Sequence, residues 1–557
     1  MAFIVKKTIK NNDYYYLNEN KRIGGKVKTK TLAYLGKTKK EAEIKAKEFL
    51  KKMETEKHKN KEEKIEKTAD LPKLSTEISV EDMATFCKRK GFVYPSADIY
   101  GGFAGFWDFG HLGAELKNNI KKEWWNYHVW QRRDIKGIDG SIITHPLVWK
   151  ASGHIDSFSD IFVVCKKCKK PEKIDRKDLG KVKCPRCGGD FDEASAKEFK
   201  LMFKTSVGER DEAYLRPETA QLIFTNFKFV YENARMKLPF GIAQVGKAFR
   251  NEIAPRDFLF RCREFEQMEI EYFVLPDSNC IYGIPDVEIL VLSAEAQEKN
   301  ESPKKMKITD ALKKKIIKKD WHAYWLATEF SWFVNLGANP DNFRIRQHRK
   351  DELAHYSSDC WDLEYKFPFG WKELEGIADR SDYDLKQHEK FSKKDLTIFD
   401  EESKKKILPQ VICEPSLGVE RAFLVFMFDS YSYDKERENI VLRLNPKMAP
   451  IKAAIFPIIK KEEFEKLCSG IFDDLKKEWN VIYDESGSIG RRYARNDEIG
   501  TPYCITVDEE SLKNKDVTIR DRDTKKQVRV KISELKDVLK KLINQEISLE
   551  KAGKLIK

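Results

Sequence analysis

Residues 249–272 read FRNEIAPRDFLFRCREFEQMEIEY, a stretch that packs four arginines among five glutamates. Apolar and polar residues alternate on both sides of IAPRDFL, which is typical of two strands joined by a loop. The sequence therefore predicts a long antiparallel pair, with one strand ending at Glu252 and with Arg250 and Arg263 on the same surface. Opposite charges on such strands either form cross-strand surface pairs, each worth about 0.2–1 kcal/mol, or line a site for a charged ligand.

Two other segments favour the ligand site over the surface pairs. LRPETAQ (residues 215–221) and EPSLGVERAF (residues 414–423) place further acids, arginines and a glycine among apolar residues. Charged side chains in apolar surroundings are rarely left without a partner, so a charged ligand is the simpler explanation for all three segments together.

Length and composition bound the class of protein. A chain of 557 residues with 41% hydrophobic residues is long enough for several domains. Its net charge of +14 favours a polyanionic partner such as nucleic acid, although a lysine-rich surface alone gives the same balance. No apolar run approaches about 20 residues, and the start, MAFIVKKTIK, does not resemble a signal peptide, so no membrane contact is expected. Eleven cysteines, mostly scattered, fit a reducing compartment, and a cytoplasmic location is expected.

The start of the chain alternates as short strands do. Residues 1–55 are predicted to form a module of three strands, over FIVKKTIK, DYYYLNEN and KVKTKTLAYLG, and one helix. The apolar face of that helix is the set Ala42, Ala46, Phe49, Leu50 and Met53. Nearly every residue from Glu54 to Lys67 is charged, so the helix either continues as a solvated rod or gives way to a charged linker, which is predicted over residues 56–74.

The rest of the chain is predicted to hold two domains. Residues 75–445 are aromatic-rich and mix strand and helix patterns, which indicates one large α+β domain. Residues 446–557 run through an apolar strand at IKAAIFPII, an amphipathic helix and a strand at NVIYDES, which indicates a small α/β domain. A hairpin over VTIRDRDTKKQVRV and a final helix complete it.

Four cysteines form the metal candidate of the chain. Cys165 and Cys168 make one CxxC pair, and Cys184 and Cys187 make a second, within a segment at about residues 162–192. This spacing lets two tight turns deliver four thiolates to one tetrahedral Zn²⁺ ion, and a site with four sulfur ligands has no open position for catalysis. A structural zinc ribbon is therefore predicted; the alternative is four unrelated buried thiols.

The charged segments carry a family resemblance. FRNE with REFEQMEIEYF resembles motif 2 of the class II aminoacyl-tRNA synthetases, and EPSLGVER resembles their motif 3. Together with YGGFAGFWDFGHLGAELKNNIKKEWW, LRPETAQ, ELEGIADRSDYDL and GTPYCITVD, the pattern resembles the dimeric glycyl-tRNA synthetases, from about residue 91 to residue 542. The resemblance implies an antiparallel catalytic core, a homodimer with motif 1 at its interface, and an anticodon-binding domain at the end of the chain.

The resemblance also implies a reaction. Glycine is activated by ATP with Mg²⁺ and transferred to the 3′ end of tRNA(Gly), with Arg250, Glu252 and Arg421 as the catalytic residues. In this pattern Arg250 grips the α-phosphate, Glu252 accepts a hydrogen bond from the adenine amino group, and Phe265 and Arg421 cover the two faces of the base. The implied ATP-binding residues are Arg250, Asn251, Glu252, Phe260, Arg261, Cys262, Arg263, Glu264, Phe265, Glu373, Leu374, Gly418, Val419, Glu420 and Arg421.

Glycine has no side chain to hold, so its pocket must bind the ammonium group and exclude anything larger. The resemblance points to Glu218, Glu269 and Ser416 as the residues that face glycine. Glu373 and Glu414 are candidates for magnesium or for the substrate amine. The implied glycine-binding residues are Glu218, Phe265, Glu266, Gln267, Met268, Glu269, Glu414, Pro415, Ser416, Leu417 and Gly418.

Three parts of the interpretation stay open. Residues 1–70 are unlike the usual start of this family and resemble a small nucleic-acid-binding arm of integrases and transposases; they either add tRNA affinity or are a solubilising appendage. Arg491, Arg492 and Arg495 are either tRNA contacts or solvated charges. The chain as a whole is either the ligase, with synthesis of dinucleotide polyphosphates as a side activity, or a catalytically silent nucleic-acid-binding accessory subunit on the same fold.

Overall fold

The computed structural model describes residues 2–9, 12–23, 26–39, 45, 78–174, 179–354, 356–401 and 403–556. By its internal contacts the chain divides into two compact units, Met1–Leu74 and Ser75–Lys557. The predicted apolar helix face from Ala42 to Met53 and the predicted charged linker at 56–74 lie outside the described residues. Among the described residues, no helix combines the length and the apolar character needed to cross a bilayer.

The first unit contains the three predicted strands. β1 (Ala2–Ile9), β2 (Asn12–Ile23) and β3 (Lys26–Gly36) form an antiparallel sheet in the order β1-β2-β3. β3 carries two irregularities in its register against β2, near Tyr15 and Leu17. Lys6 on β1 forms a 2.7 Å ion pair with Asp13 on β2, which fixes the two strands side by side.

A nine-stranded sheet organises the second unit, and its order is β8-β7-β9-β10-β11-β12-β6-β5-β4. The six consecutive strands from β9 to β5 are antiparallel to one another, whereas β7 pairs in parallel with β9, and β4 pairs in parallel with β5. The strands are β4 (Ile135–Ile138), β5 (Phe240–Phe249), β6 (Glu264–Val274), β7 (Glu288–Leu292), β8 (Lys304–Lys307), β9 (Phe343–Gln347), β10 (Asp359–Phe367), β11 (Gly370–Asp379) and β12 (Gln410–Gly418).

The predicted antiparallel pair is the β5–β6 pair. Ala248 lies opposite Phe265, and Phe249 lies opposite Glu264. β5 ends at Phe249, three residues before the predicted end at Glu252, because the connection folds back through a short 3-10 helix at Phe258–Phe260. The main-chain N–H of Arg250 still donates to the carbonyl of Arg263 at 2.9 Å, so the pairing extends slightly beyond the strand.

Alternation along β6 divides its side chains between two faces of the sheet. Met268, Ile270 and Tyr272 are buried in the largest hydrophobic core. Gln267 and Glu269 point to the opposite face, which carries the charged cavity described below. The sheet therefore separates an apolar core from a polar site with one strand supplying both.

Helices cover both faces of the sheet. α4 contacts β10, β11 and β12 with nearly its whole surface buried, and α6 contacts β6 and α2, whereas α3 packs on β5 and β6 from the side of the charged cavity. The long helices are α1 (Val80–Lys90), α2 (His111–Trp125), α3 (Ala220–Asn233), α4 (Asp320–Asn335), α5 (Tyr383–Ser392) and α6 (Val419–Ser430). Shorter helices span Pro146–Ala151, His154–Ser157, Ala294–Glu298 and Ile308–Lys313.

The C-terminal part has a second sheet and a hydrophobic cluster of its own. The sheet order is β14-β13-β15-β16-β17-β18, in which β13 is parallel to β14 and β15 and the rest are antiparallel. The predicted strand, helix and strand are β13, α7 and β14, and the predicted hairpin is β16–β17. The elements are β13 (Ala453–Pro457), α7 (Glu462–Leu475), β14 (Val481–Tyr483), α8 (Ile489–Glu498), β15 (Tyr503–Val507), α9 (Glu509–Asn514), β16 (Asp516–Asp521), β17 (Gln527–Lys531), α10 (Leu535–Ile543) and β18 (Lys554–Ile556).

Substitution of two helix glycines by alanine tests how closely the helices of the second unit pack against their neighbours. A Cβ atom on Gly113 in α2 would lie 1.8 Å from the carbonyl oxygen of Phe92, whereas one on Gly470 in α7 would meet nothing within 4 Å. We expect Gly113→Ala to lower the free energy of unfolding by about 2 kcal/mol or more. We expect Gly470→Ala to raise it by about 0.5–1 kcal/mol, because alanine is the better helix former.

Urea unfolding monitored by circular dichroism measures both changes. Equal effects of the two substitutions would contradict the close approach of α2 to residue 92.

Candidate active site and cysteine cluster

One cavity of about 560 Å³ lies over the polar face of the sheet. It is lined by side chains from β6, β11 and β12 and from the connection between β5 and β6. The structure thereby brings together residues that are far apart in sequence. The sequence-predicted residues that line it are Glu218, Arg250, Glu252, Phe260, Arg261, Cys262, Phe265, Gln267, Glu269, Glu373, Glu414, Ser416, Gly418, Glu420 and Arg421.

Arg250 is held in place on several sides. Its Nε donates to the carbonyl oxygen of Pro217 at 3.0 Å. The centre of its guanidinium lies 5.4 Å from the ring centroid of Phe265 and 5.6 Å from that of Phe158. A guanidinium fixed in this way presents its remaining N–H donors to the cavity without having to be ordered by a ligand.

Arg421, at the start of α6, is fixed against the other side of the cavity. Its guanidinium lies 4.6 Å from the ring centroid of Phe260, and it donates to the main-chain and side-chain oxygens of Glu373 at 3.0 and 3.1 Å. The positive charge of Arg421 lowers the pKa of Glu373. Arg421 and Glu373 therefore form an ionised pair beside the cavity.

The supports of the two arginines share a chemical character. Arg250 and Arg421 lie over phenylalanine rings, and each donates to a main-chain carbonyl oxygen. Carbonyl oxygens and ring faces fix a guanidinium without cancelling its charge, which stays available for an anion such as phosphate. Glu373 is the exception among these supports, because its carboxylate does pair with Arg421.

Glu252 and its neighbours form a rigid turn. The Nε of Arg261 donates to the Glu252 carboxylate at 2.8 Å, and the Nε of Arg263 donates to the Glu252 carbonyl at 3.0 Å. Arg263 also donates to the carbonyl of Ala104 at 2.9 Å. Glu252 is thus paired with an arginine of its own segment, whereas Glu264 and Glu266 pair with lysines outside it.

The other end of the cavity is acidic and buried. The carboxylate of Glu269 accepts from the hydroxyls of Thr219 and of Ser416, the latter at 2.6 Å. Gln267 donates to Ser416 at 3.2 Å and accepts from the main-chain N–H of Thr219 at 3.2 Å. These bonds tie β6, β12 and the start of α3 into one wall.

A buried arginine, Arg380, bonds to this acidic group. Arg380 donates to both oxygens of Asp384 at 2.7 and 2.9 Å and to Glu414 at 2.7 Å. Its guanidinium also lies 3.9 Å from the ring centroid of Tyr356. Neither Arg380 nor Tyr356 was predicted. Arg380 lies in the quoted motif ELEGIADRSDYDL, which is the one sequence signal that pointed towards it.

The carboxyl groups here have perturbed pKa values. Burial raises the pKa of Glu414 to about 8 against the opposing charge of Arg380, and the nearby Glu269 and Glu218 raise it further. Burial and the charge of Glu218 also raise the pKa of Glu269. For Glu218 burial is outweighed by His154, Arg380 and Arg250, which hold its pKa well below the usual range. Glu218 is therefore ionised, in contrast to Glu414.

Glu271 adds a fourth carboxyl to this group. It is fully buried, and its two oxygens have no hydrogen-bond partner among the described residues. Burial and the neighbouring Glu414 raise its pKa well above the ordinary value. Carboxylate oxygens of Glu269, Glu271 and Glu414 all lie within 4.8 Å of one another, so the cluster has an excess of acid that a cation would offset.

Several predicted site residues lie outside the cavity, mainly because strand alternation turns them away. Met268, Leu374, Leu417 and Val419 are buried in the hydrophobic core behind the sheet. Glu266 pairs with Lys121 at 2.9 Å, and Glu264 pairs with Lys247 at 2.6 Å. Asn251, Arg263 and Pro415 do not line the cavity either. The predicted roles of these side chains in binding ATP or glycine are not supported by their positions.

Sequence reasoning missed about half of the lining. Tyr356 and His348 approach from a segment without a recognisable pattern, and His348 forms a 2.8 Å pair with Asp362 on β10. His154 contributes from a short helix, 3.2 Å from Glu218, without lining the cavity. The unpredicted lining residues are Arg256, Asp257, Leu259, His348, Glu352, Ala354, Tyr356, Ser357, Cys360, Asp362, Lys372, Gly376 and Ala378.

The four predicted metal-ligating cysteines converge on one point. The Sγ atoms of Cys165 and Cys187 are 3.5 Å apart, and those of Cys168 and Cys184 are 3.8 Å apart. The turns that carry them lie in a three-stranded sheet of strands Ser159–Cys165, Pro171–Ile174 and Phe191–Lys200. A Cβ atom on Gly189 would lie 3.2 Å from the Cys165 sulfur and 2.6 Å from the Lys167 Cβ, so only glycine fits behind the cluster without displacement.

The arginines of the C-terminal part divide into different roles. Arg492 is buried and donates to the carbonyls of Glu485 and Gly487 at 3.0 and 2.8 Å, so it holds the ESGSIG loop and is neither a solvated charge nor an exposed contact. Arg495 donates to Asp484 at 2.5 Å. Arg491 is exposed.

Comparison with known families defines the class. Residues 203–430 match the family described as the tRNA synthetase class II core domain (G, H, P, S and T), and residues 452–542 match the anticodon binding domain. Prolyl-tRNA synthetase from Cryptosporidium parvum, solved with L-proline and AMP, has a similar fold, with a TM-score of 0.51, 15% identity and coverage of 85% of this chain and 80% of that one. The fold is that of a class II aminoacyl-tRNA synthetase.

Curated relatives show which family within this class the chain resembles. The glycine–tRNA ligase of Borrelia hermsii is 44% identical over 468 residues, which cover 82% of this chain and 96% of the relative. Those of Thermobifida fusca and Acetivibrio thermocellus are 40% and 43% identical and are covered to 97% and 98%, again by 83% of this chain. The chain belongs to the glycine–tRNA ligase family.

The first unit matches a family other than the synthetases. Residues 4–66 match the N-terminal domain of the IS1634 transposase family. The curated ligases are matched almost to their full length by little more than four fifths of this chain, so close to a fifth of it has no counterpart in them.

Proposed function

We propose that this chain activates glycine with ATP to form glycyl-adenylate and transfers the glycyl group to the 3′ end of tRNA(Gly). The observation that carries the proposal is that one cavity has a positively charged end and an acidic end. Arg250 and Arg421 supply positive charge at one end, and a buried group of carboxyls surrounds the other end. Glycine has a carboxylate and an ammonium group, and the cavity orients the first towards bound phosphate and the second towards the acids.

The first chemical step needs placement more than a side-chain nucleophile. A carboxylate oxygen of glycine attacks the α-phosphorus of ATP, and the bond to pyrophosphate breaks. Arg250 would hold an α-phosphate oxygen, because its guanidinium is already fixed by Pro217 and Phe265. Adenine would lie between Phe265 and the Arg421 guanidinium, and Glu252 would accept from its amino group.

Magnesium enters with ATP as part of the substrate. Glu373 has a side chain that is 51% exposed and a carboxylate that is kept ionised by Arg421, so it fits an oxygen ligand for that ion. Glu414 fits less well, since Arg380 already binds one of its oxygens and its pKa is raised.

Selection for glycine follows from the acidic wall, in which hydrogen bonds join β6, β12 and the start of α3. The ammonium group would lie among Glu218, Glu269 and Glu414, with Ser416 hydrogen-bonded to Glu269 beside it. Because hydroxyl and amide bonds hold this wall together, it has little freedom to accept a methyl group at the substrate α-carbon. Alanine is then rejected by clash, without an editing site.

We also propose the finer features of the family for this chain: a catalytic domain over residues 75–445, an anticodon-binding domain over residues 446–557, a homodimer and a cytoplasmic location. All eleven cysteines are unbridged, which suits a reducing compartment. Ile99, Tyr100 and Phe103, next to α2, are each more than four fifths exposed and suit an apolar interface with a second copy.

Exchange of pyrophosphate into ATP tests the proposed activation. We expect exchange with glycine and not with alanine or serine. Arg421→Ala should lower kcat/KM for exchange by about 10²–10³-fold, the usual loss for one donor to a developing charge. The matched control is Arg133→Ala, an arginine outside the cavity, which should leave exchange unchanged. No exchange with any amino acid from folded protein would favour the silent accessory subunit.

The raised pKa of Glu414 predicts a pH dependence of glycine binding. Below about pH 8 the empty pocket holds Glu414 protonated, and this proton must leave when the ammonium binds. The KM for glycine should therefore fall as the pH rises from about 6.5 towards 8 and then level off, with a slope of up to about tenfold per unit. Glu414→Gln should remove this slope, whatever its effect on the absolute KM. An unchanged slope in Glu414→Gln would assign the titration to another group.

The cysteine cluster is proposed to bind one structural Zn²⁺. Four thiolates at about 2.3 Å from a tetrahedral ion are about 3.8 Å apart, close to the observed 3.5 and 3.8 Å. Zinc bound there would fix the fold of the insert and would take no part in the reaction. We expect one zinc per chain by elemental analysis. Cys184→Ser should lower that content and expose the insert to proteolysis, whereas the half-buried Cys280→Ser should change neither. Full zinc content in Cys184→Ser would contradict the site.

A further inference from the structure

The positive charge of the chain is concentrated in its first unit. Residues 1–74 contain 21 lysines and arginines against 11 acidic residues, a net charge of +10 out of +14 for the whole chain. The remaining 483 residues carry only +4. Within residues 1–39, which hold the three strands, ten basic residues stand against two acids. A uniformly lysine-rich surface would spread this excess over the chain, so the charge is a property of this unit.

The register of the sheet brings basic positions together. Lys21 on β2 lies directly opposite Lys28 on β3, and Glu19 lies opposite Lys30. Lys26, Lys28 and Lys30 alternate along β3, so these three positions share one face of the sheet, and the Lys21 position shares it with them. Four lysine positions therefore stand against one acid. Like charges placed opposite each other on paired strands are destabilising when nothing offsets them, and a regularly spaced anion stabilises such a row.

The face of the sheet opposite the lysine row carries two rings beside another lysine, because Tyr14 and Tyr16, the residue paired with Tyr34, alternate with Glu19 and Lys21 along β2. The ring centroids of Tyr14 and Tyr34 are 6.4 Å apart, and Lys37 Nζ lies 5.8 Å from the Tyr14 centroid. The Tyr34 side chain is about half exposed. Aromatic rings next to cations are suited to lie against the sugars and bases of a nucleic acid while the cations contact its phosphates.

We propose that the first unit is a separate RNA-binding module, which contacts the phosphates of tRNA through the lysines of β2 and β3 and adds affinity without adding sequence specificity. The proposal rests on the proposed function, since that function makes tRNA the polyanion that this chain must bind. Three observations favour it over a solubilising appendage: the charge is ordered in a sheet register, the unit is compact on its own, and residues 4–66 match the N-terminal domain of a transposase family.

Binding of labelled tRNA(Gly) over a range of salt concentrations tests the proposal. The full chain is compared with a deletion of residues 1–74 and with the triple variant Lys21→Gln, Lys28→Gln, Lys30→Gln. The matched control is Lys313→Gln, Lys314→Gln, Lys315→Gln, three exposed lysines of the second unit. We expect the deletion and the first triple variant to weaken binding by at least about tenfold near 0.1 M salt. The slope of log Kd against log salt should fall by roughly 0.7–0.9 for each lost phosphate contact.

A second tRNA and a DNA duplex distinguish phosphate contacts with RNA from sequence recognition and from DNA binding. A non-cognate tRNA should lose the same factor as tRNA(Gly), because phosphate contacts carry no sequence information. An equal Kd and salt slope for the full chain and the deletion would overturn the proposal, as would an effect seen with a DNA duplex of matching length and not with tRNA. A loss as large in the control triple variant would also overturn it, since the effect would then reflect total charge.

Glycine-dependent pyrophosphate exchange, which needs no tRNA, separates failure of this proposal from failure of the proposed function. It should be equal in all these variants. If the full chain shows no exchange, the proposed function fails, while the comparison of tRNA binding still decides the role of the first unit.

Discussion

The structure of the site depends on the burial of several carboxyl groups around one arginine. Glu218, Glu269, Glu271 and Glu414 are all buried on the polar side of the sheet, where an isolated ionised carboxylate would be strongly destabilised. Arg380 offsets part of this cost through direct bonds to Asp384 and Glu414. Burial raises the pKa of Glu269 and of Glu414, and the charge of Arg380 opposes both shifts.

This constraint explains the layers of the fold. Glu269 and Glu271 lie on alternate positions of β6, so the residues beside them face the opposite side of the sheet and are apolar, as Met268 and Ile270 are. α4 and α6 pack on that side, with Trp321, Trp325 and Trp332 of α4 buried. This packed layer supports the strands that carry the acidic wall. The aromatic-rich composition of this part of the chain therefore supports the site from behind.

The sequence predicted the local elements well, because they depend on alternation and on spacing that neighbouring residues display. The β5–β6 pair, the strand–helix–strand unit from Ala453 and the convergence of the four cysteines are all of this kind. What it could not predict were contacts between distant buried groups: Arg380 with Glu414, His154 with Glu218, and Gln221 with His388. No local pattern marks such pairs, since each partner alone looks like an ordinary charged or polar residue. For the same reason the sequence did not distinguish Arg492 from a surface residue, although Arg492 donates to three main-chain carbonyls inside the C-terminal part.

The two units of the chain use charge in contrasting ways. In the second unit the net charge is small, and individual charges are fixed by partners at defined distances, which suits discrimination between similar small molecules. In the first unit the excess is large and repeats along strands, which suits a long and regular polyanion whose position matters less than its charge. On the proposal above, the basic surface of the first unit raises the local concentration of tRNA. It does so without altering the cavity of the second unit, which selects the amino acid. An enzyme can therefore acquire such a unit without a change in the geometry of its active site.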